Sequence, residues 1–157
     1  QVTNFVYNAL NQQTRTTDPG SNASNILHDA AGNVVQTLDA LGNPAWRAYD
    51  ERGQLVLEVD ARGGTTKYAY DAAGNLSVLV DPAGNVWQWQ YDGLHREVLR
   101  TDPLGKSVIT AYNPAGLVAS ITDRLGRVKE FTYDADNRLT SEVWKAVGGA
   151  VVDTRGY

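Results

Sequence analysis

One spacing constrains this chain more than any other feature. Tyr7, Tyr49, Tyr70, Tyr91, Tyr112 and Tyr133 lie on a 21-residue grid, and the grid position between the first two holds His28. The next residue is always an acid or its amide: Asn8, Asp29, Asp50, Asp71, Asp92, Asn113 and Asp134. Four residues after the Tyr position comes Gly at 32, 53, 74 and 116. Asp follows eleven residues after it, at 18, 39, 60, 81, 102 and 123, and Gly fourteen after, at 42, 63, 84, 105 and 126. Six such steps without an insertion restrict the chain to a tandem array, in which one short unit is repeated and leans on its neighbours. Seven copies fill residues 4 to about 143.

Each unit carries two turns. Asp71-Ala72-Ala73-Gly74 and Asp81-Pro82-Ala83-Gly84 place Asp first and Gly fourth, the composition of a type I turn. The Asp carboxylate caps a backbone N–H two residues on, and Pro presets φ. The trailing Gly can take positive φ and form the bulge that returns the strand antiparallel. The same reading makes structural turn pairs of Asp29 with Gly32, Asp50 with Gly53, Asp102 with Gly105 and Asp123 with Gly126.

The segments between turns alternate as half-buried strands do. Trp87, Trp89 and Tyr91 face one way, Gln88 and Gln90 the other. After the first turn, Leu55, Leu57 and Val59 alternate with Val56 and Glu58, and Leu76, Val78 and Val80 with Ser77 and Leu79. In the copy at Tyr112 the pattern blurs, with Val118 and Ile121 on opposite faces. The expectation is an all-β chain of about 14 short antiparallel strands with almost no helix, a ribbon roughly 65–70 Å long. The Tyr side chains would align as an aromatic ladder, each cross-strand pair contributing about 0.2–1 kcal/mol. Such a ribbon keeps two faces and two open edges, so it must curl, close or stack on copies of itself. A length of 157 residues with 42% apolar content suggests one domain with a core. The grid fails after residue 143: Trp144 stands where a turn Asp is due, Gly148-Gly149 widens the loop, and Tyr157 falls 24 residues after Tyr133. Residues 1–143 are therefore read as the tandem repeats, and 144–157 as an irregular link into a further, truncated repeat.

The segment Gly63-Gly64-Thr65-Thr66-Lys67-Tyr68-Ala69-Tyr70-Asp71-Ala72-Ala73-Gly74-Asn75-Leu76, followed by Asp81-Pro82-Ala83-Gly84, resembles the YD repeat, also called the RHS repeat. The resemblance covers nearly the whole chain. Arg commonly follows the Gly in this family; here Asn33, Gln54 and Asn75 take that place, while Arg138 keeps it after Asn137. The family includes bacterial Rhs proteins, the C components of Tc insecticidal complexes and teneurins. The resemblance implies a spiralling β-sheet that builds a hollow shell, which in bacteria encloses a toxic C-terminal domain. Asp102-Pro103-Leu104-Gly105 reads as an ordinary second turn rather than as the segment of the Rhs core module, so self-proteolysis and toxicity are carried onto no residue here. Seven copies are fewer than a closed shell would need, which implies a fragment or a different assembly. The lack of any Met, with Gln1 first, fits a piece of a longer chain.

Little in the chain points to catalysis. Of 13 Asp, 11 occupy the repeated turn positions, whereas a catalytic pair would stand once, in a cleft. His28 substitutes for a ladder ring and His95 for a turn Gly, and neither has partners at triad or metal-ligand spacing. Calcium competes, because the Asp-x-x-Gly-Asn turns recur. Their spacing, however, matches neither an EF-hand nor the Ca²⁺-binding solenoid repeats, and each turn offers one carboxylate. No catalytic residue, metal site or cofactor is expected.

Zero Cys excludes a disulfide scaffold and thiol chemistry. No apolar run is long enough for a membrane-spanning helix, and no signal peptide or lipidation motif is recognised. A net charge of −4, evenly spread, argues against a nucleic-acid partner. Trp46 and Trp87 are candidate ligand contacts, since aromatics beside amides can stack on sugar rings. Trp89 shares its place with Phe5, Tyr68 and Phe131 and is read as part of the ladder. The favoured reading is a non-enzymatic structural segment of an extracellular or surface protein, bacterial by the resemblance, that builds a wall, shell or fibre. A self-assembling filament subunit and a carbohydrate- or cell-surface-binding adhesin module are the alternatives. Expected partners are further repeats or other copies through strand edges, a glycan or cell-surface ligand, and an enclosed C-terminal toxin domain in a longer parent.

Overall fold

The computed structural model describes residues 2–157. Fifteen strands follow one another: β1 (Asn4–Tyr7), β2 (Gln13–Thr17), β3 (Ala23–His28), β4 (Val34–Leu38), β5 (Pro44–Tyr49), β6 (Leu55–Val59), β7 (Thr65–Tyr70), β8 (Leu76–Val80), β9 (Val86–Tyr91), β10 (Glu97–Thr101), β11 (Ser107–Tyr112), β12 (Val118–Thr122), β13 (Val128–Tyr133), β14 (Leu139–Lys145) and β15 (Val151–Gly156). No helix occurs among the described residues. The chain divides into two units, Gln1–Ala69 with Leu79–Asn85, and Tyr70–Val78 with Val86–Tyr157. The first holds β1 to β6 and most of β7; the second holds β9 to β15. In each, strands pair antiparallel with their sequence neighbours, so that strand order is chain order.

Short hairpins in sequence leave each unit without a second layer. Among the described residues no apolar side chain is fully buried, and the two most enclosed side chains are acids, Asp102 and Glu142. This corrects the expectation of a core. Chain length predicts a core only where elements fold back on one another, and here each strand pairs only with its sequence neighbours.

The two kinds of hairpin differ. Those led by the second-turn Asp run in plain register, as in Arg100↔Val108 and Thr101↔Ser107. Those that follow a ladder Tyr slip by one residue: Tyr49 faces Leu55 but Ala48 faces Leu57, and Tyr91 faces Glu97 but Gln90 faces Leu99. Directly opposed residues share a face, so Leu55 and Leu57 lie on opposite faces rather than in one run. The same slip pairs Tyr112 with Val118 and Thr110 with Ile121, which brings Val118 and Ile121 to one face, the reverse of the simple alternation.

The C-terminal stretch also differs from the irregular link expected there. Trp144 is a strand residue, opposite Lys129 on one side and Asp153 on the other. β14 therefore runs on to Lys145, and the turn moves to Ala146–Ala150, where Gly149 N–H donates to Ala146 O at 2.9 Å. Two consecutive glycines at φ 86° and 91° allow the reversal without a capping carboxylate. The result is a fifteenth strand.

Candidate functional site: turn clamps, tyrosine ladder and tryptophans

Asp71 shows how a turn is held. Its Oδ1 accepts the N–H of Ala73 and of Asn75, both at 2.9 Å, and its Oδ2 accepts Asn75 Nδ2 at 2.9 Å. Gly74 N–H donates to Asp71 O at 3.1 Å, and Asp71 N–H donates to Asn75 O at 2.9 Å. Gly74 has φ 89°, a backbone region that a side chain with Cβ seldom adopts. Five residues thus form a type I turn with a glycine bulge, locked by one carboxylate. Asp29 and Asp81 are bound in the same way by Asn33 and Asn85. At Asp92, Asp123 and Asp134 the second oxygen takes an Arg guanidinium instead, from Arg96, Arg127 and Arg138. Asp50 accepts the N–H groups of Arg52 and Gln54.

Asp102 is the exception. Its Oδ1 holds the N–H groups of Leu104 and Lys106, but its Oδ2 receives Arg124 Nη1 at 2.7 Å, from the next repeat. A second tie between repeats uses His95, which stands at a turn Gly position with φ 61° and places Nδ1 2.8 Å from Asn75 Oδ1.

These hydrogen bonds favour the carboxylate form. The neighbouring Asn amide is the leading cause that holds Asp18, Asp29, Asp39, Asp71 and Asp81 below the ordinary aspartate value of 3.8. The Arg side chain leads at Asp92 and Asp123, and the backbone N–H of the fifth turn residue at Asp102 and Asp134.

The ladder does more than align rings. Tyr49 O–H donates to Val34 O, Tyr91 to Leu76 O, Tyr112 to Glu97 O and Tyr133 to Val118 O, at 2.9–3.1 Å, each to the carbonyl 15 residues earlier. Val34, Glu97 and Val118 are the residues at which the register slips. Each Tyr thus ties its repeat to the bulge of the one before. Burial pushes the Tyr91 phenol up, with Glu97 and Asp71 adding to the shift. Arg96 lies 4.1 Å from the Tyr112 ring centre, a cation–π contact. The sequence held one sign of the hydroxyl's role: apart from His28 the grid positions carry Tyr and never Phe, while two residues earlier Phe, Tyr and Trp interchange with Ile26, Arg47 and Thr110. Tyr7 lies on β1 and is 52% exposed. At His28 the shorter ring leaves Nδ1 buried without a partner. His28→Tyr is expected to restore the bond to Gln13 O that the 15-residue rule specifies. A gain of about 1 kcal/mol would raise Tm by about 2–4 °C in calorimetry.

The tryptophans separate. Trp46 is 47% exposed, on the face opposite Tyr49 and between Gln36 and Val59 on the flanking strands. Trp87 and Trp89 are half-buried on the Tyr91 face, between exposed Gln88 and Gln90. Trp144 lies under the Lys129 ammonium, 3.7 Å from its ring centre. Among the described residues no group of three or more His, Cys, Asp or Glu could hold a metal ion, and no helix is long and apolar enough to cross a membrane.

The family model described as RHS Repeat matches residues 28–65, 49–85, 70–107 and 112–143, more than half of the chain. None of the curated proteins matches. Among solved structures, the Photorhabdus luminescens Tc holotoxin pore is similar with a TM-score of 0.71 and 14% identity, over 98% of this chain and 9% of that one. A crystal structure of TcdB2-TccC3 is similar with a TM-score of 0.49 and 14% identity, over 98% of this chain and 12% of that one. The chain therefore spans about a tenth of the length of these structures, and at such identity the first likeness is one of fold.

Proposed function

The chain belongs to the RHS repeat family, and from that membership we propose that it is a length of structural wall in a larger secreted or surface protein, with no catalysis of its own. The observation that carries this reading is the direction of the ladder. Tyr49, Tyr91, Tyr112 and Tyr133 each spend the hydroxyl on the preceding repeat. A chain built to place a reacting group would use such hydroxyls once, in a cleft; here they recur as joints. The likeness in fold to part of a Tc holotoxin pore supports a toxin-associated wall of bacterial origin. In that setting residues 1–143 are the repeat array, residues 144–157 lead into further repeats, and the partners are other repeats of the parent chain and a C-terminal domain that the wall encloses. The turn pairs, with Asp71 and Gly74 as the type, and the Tyr ladder are the residues that do the work.

Electron microscopy of the intact parent protein at neutral pH tests this. Compact hollow particles are the expected result. Long fibres with a regular axial repeat would replace the wall by a self-assembled filament and remove the enclosed domain from the account.

A further inference from the structure

One turn differs from the others in its second residue. Asp92-Gly93 is the one Asp-Gly pair in the sequence, and no Asn-Gly pair occurs; every other turn Asp is followed by Ala, Pro, Glu or Arg. The difference is chemical. The backbone nitrogen that follows an Asp can attack the carboxyl carbon of that same Asp and close a five-membered ring. A Cβ on the following residue crowds the ring, and glycine has none. Gly93 is exposed, and a Cβ there would meet nothing within 4 Å. Of the N–H groups at positions 93 to 96, the turn bonds those of Leu94, His95 and Arg96 but not that of Gly93. His95 adds a weak point, because it holds φ 61° in a region that costs a residue with a Cβ.

What opposes the reaction is the engagement of the carboxylate. Asp92 Oδ1 accepts Leu94 N–H at 2.9 Å and Arg96 N–H at 3.1 Å, and Oδ2 accepts Arg96 Nε at 2.8 Å and Nη2 at 2.6 Å. Ring closure needs a carboxyl group that can swing toward Gly93 N and an oxygen that is protonated so that it can leave. The fork of Arg96 holds the group in place, and it is also the leading cause that keeps Asp92 below the ordinary aspartate value. Arg96 is itself held by the next repeat. Its guanidinium lies 4.1 Å from the Tyr112 ring centre, and a Cβ on Gly116 would stand 3.4 Å from its Nη1. We propose that Asp92-Gly93 is a latent isomerisation site, kept as aspartate by Arg96 and, through Arg96, by Tyr112. When the turn opens, Gly93 N bonds to Asp92 Cγ, and the hydroxyl of the protonated carboxyl leaves with the Gly93 amide proton as water. Water then adds back to the cyclic imide. At Cγ it restores aspartate; at the main-chain carbonyl carbon it gives isoaspartate, in which the chain runs through Cγ. The backbone is then one carbon longer and the clamp carboxylate is gone, so the turn carries a permanent mark of having opened. This site does not rest on the structural role of the repeats.

The test is prolonged incubation of the full chain at neutral pH, below its melting temperature. Digestion and electron-transfer fragmentation then separate isoaspartate from aspartate at position 92. A synthetic peptide of residues 88–98 is the unguarded reference. The peptide should isomerise at least about tenfold faster than the folded chain, because the reaction follows the fraction of turns that are open. Arg96→Ala should raise the rate in the full chain about tenfold or more, the effect of losing a charged hydrogen bond. Arg138→Ala breaks the matching pair with Asp134, where Ala135 follows, and controls for general loosening; it should leave position 92 at the parent rate. Gly93→Ala added to Arg96→Ala should suppress the product. Equal rates in the folded chain and the peptide would overturn the proposal. So would an unchanged rate in Arg96→Ala, or an equal rise at position 92 in Arg138→Ala.

Discussion

The pair Asp71→Ala with Gly74→Val will lower the melting temperature of the chain and speed amide exchange in the hairpin at Asp71 and in the hairpins next to it. Each substitution acts on a different part of the clamp. Val at position 74 must adopt φ near 89°, which costs a β-branched residue about 1–3 kcal/mol. Ala at position 71 orphans the N–H groups of Ala73 and Asn75 and the Asn75 amide. For a chain of this length the Gly74 change alone corresponds to a fall in Tm of about 2–12 °C, and the Asp71 change deepens it. The effect spreads because stability in repeats is transmitted between nearest neighbours. Asn75 Oδ1 also meets His95 of the next repeat, so the loss should extend in that direction. Asp136→Ala is the matched control, since that carboxylate is 72% exposed and, although it pairs with Arg138, it caps no backbone N–H of a turn. A melt indistinguishable from the parent would refute the assignment of Asp71 and Gly74 as the residues that hold this turn.

Acid should unfold the protein steeply. Nine clamp carboxylates, from Asp18 to Asp134, sit below the ordinary value of 3.8 in the folded chain. A depressed folded-state pKa means that the unfolded chain binds protons first as pH falls. The contribution of each clamp is fully present above the ordinary aspartate range and is lost as pH drops through the folded value. Because the groups recur in every repeat, many small losses fall in the same window. Far-UV circular dichroism followed from pH 7 downward should stay flat to about pH 4 and then collapse. The variant with Asp29, Asp71 and Asp134 replaced by Asn should show a shallower acid limb. Asn8 shows that an amide oxygen can accept the same two backbone N–H groups, from Leu10 and Gln12, with no carboxylate to titrate. An equally steep limb in that variant would move the acid sensitivity away from the clamps.

The turns were the most legible part of the chain because their contacts are local. Every bond of the Asp71 clamp lies within five residues, and spacing alone brings those groups together. The strands between turns followed, since two fixed reversals leave an antiparallel pair little choice of partner. The slip after each Tyr was not legible. Alternation in Leu55, Leu57 and Val59 looks unbroken in sequence, yet pairing places Leu55 opposite Tyr49 and Leu57 opposite Ala48. Trp144 was visible as a broken turn position, but not the new turn two residues later, which depends on strand pairing with Lys129 and Asp153.

The sequence by itself determined the repeat length, the places where the chain reverses and the residues that reverse it, because Asp, Gly and their spacing act over a few bonds. The tertiary structure alone decided where the Tyr hydroxyls go and that Asp102 is closed by Arg124 of the next repeat. Those partners stand 15 to 22 residues apart along the chain, and only the accumulated register of the strands between them sets whether they meet.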